Sequence, residues 1–157
     1  MGDLEASRRA RDPRIQPKHW MMMAASAVIH EDGKLLMVRD KQGFWAGVGG
    51  WIENGESPDE AIIREVREEL GVESEVLSAF RPFIAWNVVA GERPINFLLF
   101  PHAVRLLSTD LKLDPAEVID FAWVGPSELD AYDRTPQIRH IHSQRLPEWL
   151  AAFEAGG

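Results

Sequence analysis

The chain has no cysteine. Disulfide staples, thiolate metal centres and cysteine nucleophiles are therefore excluded. No apolar run reaches the roughly 20 residues of a membrane-spanning helix, and residues 1–18 lack the hydrophobic segment of a secretory leader. Gly2 is followed by Ala6 where the myristoylation pattern needs Ser or Thr, so that anchor is not expected either. Positive charge is also short: 17 Lys and Arg against 25 Asp and Glu leave a net charge of −8. An extended nucleic-acid surface needs Lys and Arg to neutralise phosphates, so that partner is not expected. Small phosphorylated ligands stay open, because bound cations reverse the local field. A cytoplasmic protein with no membrane partner is the expectation.

What is present points to one domain with a sizeable core: 157 residues, 45% of them hydrophobic, with six tryptophans. No internal repeat or low-complexity tract appears. The most informative stretch runs from Gly49 to Val72 and contains a well-marked helix. Ser57 to Glu60 reads as a capping box, Pro58 falls at the first helical position, and Gly71 suits a left-handed closing residue. At about 100° per residue, Ile62, Ile63, Val66 and Leu70 fall on one side, predicted to face the core.

Glu65, Glu68 and Glu69 fall beside that stripe, related by i, i+3 and i+4. Like charges so spaced cost roughly 0.2–0.5 kcal/mol each on an exposed helix, and acids in the last turn oppose the macrodipole. Two carboxylates about 6 Å apart repel by about 3 kcal/mol at an effective dielectric near 20. Arg64 and Arg67 offer some compensation, yet neither falls on the glutamate arc. Two readings follow: a solvated acidic face, or an oxygen-rich set relieved by a divalent cation, for which Mg²⁺ or Mn²⁺ is suited.

The pattern G-x5-E-x7-R-E-(aliphatic)-x-E-E-x-G-(aliphatic) is filled by Gly50, Glu56, Arg64, Glu65, Val66, Glu68, Glu69, Gly71 and Val72. It resembles the Nudix box, and the chain is similar to Nudix hydrolases over roughly residues 21 to 153. The resemblance implies an α/β Nudix fold, an α/β/α sandwich around a mixed β-sheet. It implies Glu65, Glu68 and Glu69 as ligands of Mg²⁺ or Mn²⁺, with Arg64 orienting Glu65 and the Gly49 carbonyl as a further ligand. Glu65 is then either the general base or a ligand that positions the attacking water. Glu117, with Asp114 and Asp120 as alternatives, stands where several relatives carry another metal-binding glutamate. Gly50, Glu56 and Gly71 would support the loop and helix of the box. Val48 occupies a place where the family often has proline.

The implied reaction is metal-dependent hydrolysis of a phosphoanhydride in a nucleoside diphosphate linked to another moiety, with a small nucleotide as partner. The alternative is a Nudix-fold sensor that binds nucleotides without cleaving them, although such domains usually carry eroded boxes. Isopentenyl diphosphate isomerase chemistry relies on a cysteine that is missing here. Trp86 to Val89 lacks the proline of many ADP-ribose hydrolases and the tyrosine of many diadenosine polyphosphate hydrolases. The SQPWPFPxS-type element of NADH pyrophosphatases is absent too. These absences weaken three substrates without choosing a fourth.

The remaining chain is read around that box. Residues 1–20 form a basic extension (Arg8, Arg9, Arg11, Arg14, Lys18), expected to be flexible, with an arm for a homodimer or for phosphate steering as alternatives. Residues 21–155 form the single domain. Met21 to Ile29 reads as a strand buried on both faces, Asp32-Gly33 as a hairpin turn, and Lys34 to Arg39 as the returning strand. Arg39, and less so Lys41, are candidate contacts to substrate phosphates, while Trp45 and Trp51 read as packing residues. Strand with breaks is expected over Val72 to Trp86, a turn at Ala90-Gly91, and a central strand over Ile95 to Val104. Phe83, Trp86 and Asn87 either pack or face the substrate, Trp86 being the retained binding candidate. After a loop from Leu106 to Pro115, Val118 to Val124 is a strand with Ile119, Phe121 and Trp123 on one face. Ser127 to Tyr132 suggests a helical turn. Gln137 to Ala155 reads as helix, broken or restarted at Pro147, docking through Trp149, Leu150 and Phe153. His140 and His142, two apart, do not share a helix face and make no metal pair.

Overall fold

Alternation along one strand divides the molecule into two halves. In β1 (Met22–Glu31), Ala25, Ala27 and Ile29 enter one apolar cluster, while Ala24 and Val28 enter another on the opposite face. The computed structural model that shows this describes residues 20–90 and 93–155. The basic segment 1–18 and the turn at Ala90-Gly91 fall outside those residues wholly or in part.

β1 pairs in parallel with β7 (Arg93–Leu106), in register from Met22↔Phe97 to Ile29↔Val104. It is antiparallel to β4 (Val48–Trp51) and, at its far end, to β2 (Lys34–Asp40). β3 (Trp45–Ala46) and β8 (Val118–Val124) pair antiparallel with β2. β5 (Ser74–Ala79) and β6 (Phe83–Ala90) pair antiparallel with β7. The result is a mixed eight-stranded sheet. Asp32 and Gly33 both adopt positive φ, 50° and 76°, the conformation a tight two-residue hairpin requires between β1 and β2.

α1 (Pro58–Leu70) covers one face of the sheet. Ala61, Ile62, Val66 and Leu70 lock into Ala25, Ala27, Leu36 and Val104. α2 (Pro136–Ala155) covers the other, where Ile141, Leu146 and Trp149 meet Val28, Met37, Leu99 and Val124. The architecture is the α/β class with a mixed sheet between helices. A 3₁₀ turn, Pro126–Ala131, links β8 towards α2.

Four sequence expectations need correction. α2 runs unbroken through Pro147. A missing N–H disfavours this, but the buried Leu146 and Trp149 on either side hold the helix to the sheet. Met22 and Met23 are about half exposed, so burial on both faces begins only further along β1. Ile63 is half-buried, and Ala61 takes the core place. Trp51 is 45% exposed, its ring edge-on to Phe97 rather than sunk in the core.

Candidate active site

The helix that carries the acids is placed by local chemistry at both ends. Ser57 Oγ accepts from the Glu60 N–H at 3.2 Å and Glu60 Oε2 accepts from the Ser57 N–H at 2.9 Å, satisfying donors that an uncapped first turn leaves open. At the other end Gly71 adopts φ 67° and its N–H reaches Arg67 O at 3.0 Å. A side chain there would also meet Lys112 O at 2.7 Å. β4 supplies the wall facing the helix. Its glycines are tight: a Cβ on Gly49 would come within 2.9 Å of Ser26 Cα, and one on Gly50 would overlap the Glu65 carboxylate.

Arg64 is the hub. Its Nε and Nη2 grip both oxygens of Glu56 at 2.7 and 2.9 Å, Nη2 also reaches Trp51 O at 3.0 Å, and Nη1 donates to Glu65 Oε1 at 2.9 Å and Glu68 Oε2 at 3.1 Å. Arg64 lies off the glutamate arc on the helical wheel, yet its long guanidinium reaches Glu65 and Glu68 where its Cβ does not point, the contact to Glu65 being the one the resemblance implied. Arg67, by contrast, turns away and pairs with Glu73 at 2.7 and 2.9 Å. Glu56 also accepts from the Glu53 N–H, closing the loop before the helix. The Arg64 hydrogen bonds, helped by that N–H, hold the Glu56 carboxyl down at about 2.

The glutamates behind Arg64 show the opposite shift. Glu65 is buried, and desolvation pushes its pKa up against the pull of Arg64, with Glu68 and Glu117 adding repulsion. Glu69 is 7% exposed. Burial first, then the charges of Glu65, Glu117 and Glu68, raise it to about 8, while the Gly49 N–H opposes. Its Oε2 is buried with no hydrogen-bond partner, an uncommon state for a buried oxygen. Glu68 is about half exposed.

Glu117 lies near enough for its charge to act on Glu65 and Glu69. Asp114 instead caps the preceding turn, its Oδ1 taking the Ala116 N–H and its carbonyl the N–H groups of Glu117 and Val118. Asp120 sits on β8 in register with Arg39. Among the described residues no three His, Asp or Glu side chains stand close enough to hold an ion as a group. The donor set still fits a hard divalent cation. It is all oxygen, it includes the partnerless Glu69 Oε2, and its mutual repulsion would be relieved by positive charge. Arg64 currently engages one oxygen each of Glu65 and Glu68, leaving Glu65 Oε2, Glu68 Oε1, Glu69 and Glu117 as donors that would gather.

The other expected contacts are scattered. Arg39 folds back on the β2–β3 turn, Nε to Gly43 O at 3.3 Å, and Lys41 is exposed on that turn. Trp86 is 62% exposed on β6, at the edge of a groove it shares with Phe83, Gln137 and His140. Phe83 is core, beneath Arg145 and edge-on to His140. The side chain of Asn87 lies outside the described residues.

An apolar cavity of about 240 Å³ lies between the sheet and α2, and its wall includes Ser26, Gly49, Gly50, Ile138, His142 and Trp149. Gly49 and Gly50 are also the residues against which Glu69 and Glu65 rest, so the β4 backbone bounds the cavity on one side and the acids on the other. Two histidines are buried, His102, which the sequence did not single out, and His142, for which the sequence suggested no partner. His102 on β7 has Nδ1 2.9 Å from Phe100 O and Nε2 3.1 Å from Asp59 Oδ1 at the start of α1. His142 meets the buried Arg134, Nη1 to Nδ1 at 2.9 Å. A polar residue at an inward register of an apolar strand was the available signal for His102; for His142 there was none beyond its position beside Ile141.

The model of the NUDIX domain family matches residues 20–145. The CTP pyrophosphohydrolase of Escherichia coli (strain K12) is 41% identical over 122 residues, covering 74% of this chain and 84% of that protein. The nucleoside triphosphatase NudI of Salmonella agona (strain SL483) is 36% identical over 126 residues, 72% of this chain and 88% of that one. A crystal structure of a UDP-X diphosphatase superposes with a TM-score of 0.72 at 24% identity, covering 98% of this chain and 72% of that chain, a likeness of fold.

Proposed function

The chain belongs to the NUDIX domain family, and from that premise we propose that it is a pyrophosphohydrolase of nucleoside triphosphates. It splits the bridge between the α- and β-phosphates, with water entering at phosphorus, to release a nucleoside monophosphate and pyrophosphate. The observation that carries this reading is the buried, partnerless oxygen of Glu69 among like charges, together with an apolar cavity of about 240 Å³ walled in part by Gly49 and Gly50. Relatives named for CTP pyrophosphohydrolysis and nucleoside triphosphate hydrolysis support the substrate class.

Glu65, Glu68, Glu69 and Glu117, with the Gly49 carbonyl, would hold Mg²⁺ or Mn²⁺. When bound, such an ion neutralises phosphate oxygens and makes water more acidic. The protein's own part is positional. Arg64 holds Glu65 by one oxygen, leaving the other free to take the proton of the attacking water. Burial raises the affinity of Glu65 for a proton, the direction a group that accepts one requires. Gly49 and Gly50 let the backbone pass close under the phosphates, and the cavity excludes water from the base. Glu56 keeps Arg64 in place and touches no substrate.

The deciding experiment is turnover of CTP, UTP, GTP and ATP with and without Mg²⁺ or Mn²⁺, reading pyrophosphate separately from phosphate. Metal-dependent pyrophosphate release is expected. Tight nucleotide binding with no turnover under any metal would favour the sensor reading.

A further inference from the structure

Trp51 is the last residue of β4, one step beyond the glycine that lies against Glu65. Its carbonyl accepts from Arg64 Nη2 at 3.0 Å, the same guanidinium that holds Glu56, Glu65 and Glu68. Gly50 faces Glu65 on the α1 side, so by strand alternation Trp51 faces the α2 side. Its ring meets Phe97 there, centroids 6.4 Å apart and planes at 82°. Register locates the ring further. Trp51 stands opposite Ala24 and Ala24 opposite Leu99, and both of those residues, with Gly49 and Gly50, wall the apolar cavity. The indole is therefore at the rim of that cavity, at the end of the strand that has the cavity on one side and the acids on the other. A perpendicular ring contact engages at most one face of the indole, and Trp51 stays 45% exposed. Met22, opposite Phe97 and 46% exposed, extends the apolar patch. Trp86 is more exposed, but β1 and β7 lie between its strand and β4.

We propose that the Trp51 indole is the platform on which the nucleobase stacks, at the rim of the cavity, while the phosphates lie at the glutamates. This rests on the reading of the chain as a nucleotide pyrophosphohydrolase. Every base presents a π-face, so a stacking platform accepts purines and pyrimidines alike and discriminates little between them. Ala24 and Leu99 offer apolar surface to the same base. Because Arg64 holds both the Trp51 carbonyl and Glu65, the platform and the acids are fixed relative to one another, and a base held on the first places its phosphates at the second.

Steady-state kinetics with CTP, UTP, GTP and ATP in Mg²⁺ provide the test, on the wild type, Trp51→Leu and Trp51→Phe. Trp51→Leu keeps apolar bulk without an aromatic face and should raise KM for all four by about tenfold. Its kcat should change little, the mark of lost uniform binding. Trp51→Phe, which keeps a smaller face, should recover most of the loss. Inorganic tripolyphosphate, which has no base, should inhibit the wild type and Trp51→Leu equally. An unchanged KM in Trp51→Leu, or tripolyphosphate inhibition weakened as much as nucleotide binding, overturns the proposal. Independently of turnover, α,β-methylene-CTP with Mg²⁺ should quench the tryptophan emission of the wild type. That quench should largely vanish in Trp51→Phe, although calorimetry still records binding. The same quench in both proteins, or none in the wild type, also overturns it. A wild type that turns over none of the four contradicts the hydrolase reading instead, and the emission with the analogue still judges Trp51.

Discussion

Gly50 and Glu65 are in contact through an atom that glycine does not have. A Cβ on Gly50 would stand 2.6 Å from Glu65 Cδ and closer still to its Oε1, so the carboxylate lies against bare backbone. Gly50→Ala should therefore displace Glu65 from Arg64 while leaving β4 paired to β1. We expect kcat to fall by about 100-fold, the scale of losing one fixed electrostatic group, with the far-ultraviolet circular dichroism unchanged. An alanine variant with wild-type kcat would show that the placement of Glu65 is not needed.

Arg64 makes its contacts as a planar fork, two bonds to Glu56 and one each to Glu65, Glu68 and the Trp51 carbonyl. A lysine keeps the charge but cannot span them. Arg64→Lys should lower kcat by roughly 10- to 100-fold and stability by about 1–3 kcal/mol, measured by urea unfolding. Because both groups act on Glu65, Glu56→Gln added to Arg64→Lys should cost much less than the sum of the single changes. Additive losses would separate the two residues.

How much of this was legible in the sequence depended on how far the interaction reached along the chain. The cap at Ser57, the closing Gly71 and the apolar stripe of α1 are local, and periodicity reads them directly. Glu65, Glu68 and Glu69 were singled out by spacing and resemblance, and Glu117, far along the chain, comes near enough for its charge to act on Glu65 and Glu69. The reach of Arg64 to Glu65 was implied by the resemblance and not by the helical wheel, which records where Cβ points and not where a long side chain ends. Pro147 was misjudged because a backbone rule was applied without the burial of Leu146 and Trp149. The pairing of His142 with Arg134 joins a helix to the coil before it, and no periodicity encodes that.

That pairing predicts a loss of stability in mild acid. The folded pKa of His142, about 4, lies below the ordinary 6.5. The unfolded chain therefore binds the proton more readily, and the stability from the neutral buried ring is complete above pH 6.5. It is lost as pH falls towards 4, by an amount on the order of 3 kcal/mol. Urea unfolding at pH 7 and pH 4.5 should show this fall in the wild type. In His142→Leu the fall should shrink, even though that variant starts lower because Arg134 loses a partner. An equal fall in both would assign the acid sensitivity to other groups.

Glu69 predicts the opposite dependence, and divalent ions should abolish it. Its folded pKa is raised to about 8 from 4.5, so the folded protein holds this proton more tightly than the unfolded chain. The favourable contribution is complete below pH 4.5 and is lost as pH rises through 8, where burial and the neighbouring glutamates act on a full charge. In the metal-free protein, unfolding free energy should decline between pH 6 and pH 9. Glu69→Gln, which keeps the shape without the charge, should flatten that decline and raise the melting temperature at pH 9, while lowering kcat by about 100-fold. Mg²⁺ or Mn²⁺ should stabilise the wild type at pH 9 by mass action and stabilise Glu69→Gln far less. A wild type whose melting temperature ignores both pH and divalent ions would mean that these carboxylates carry no strain for an ion to relieve.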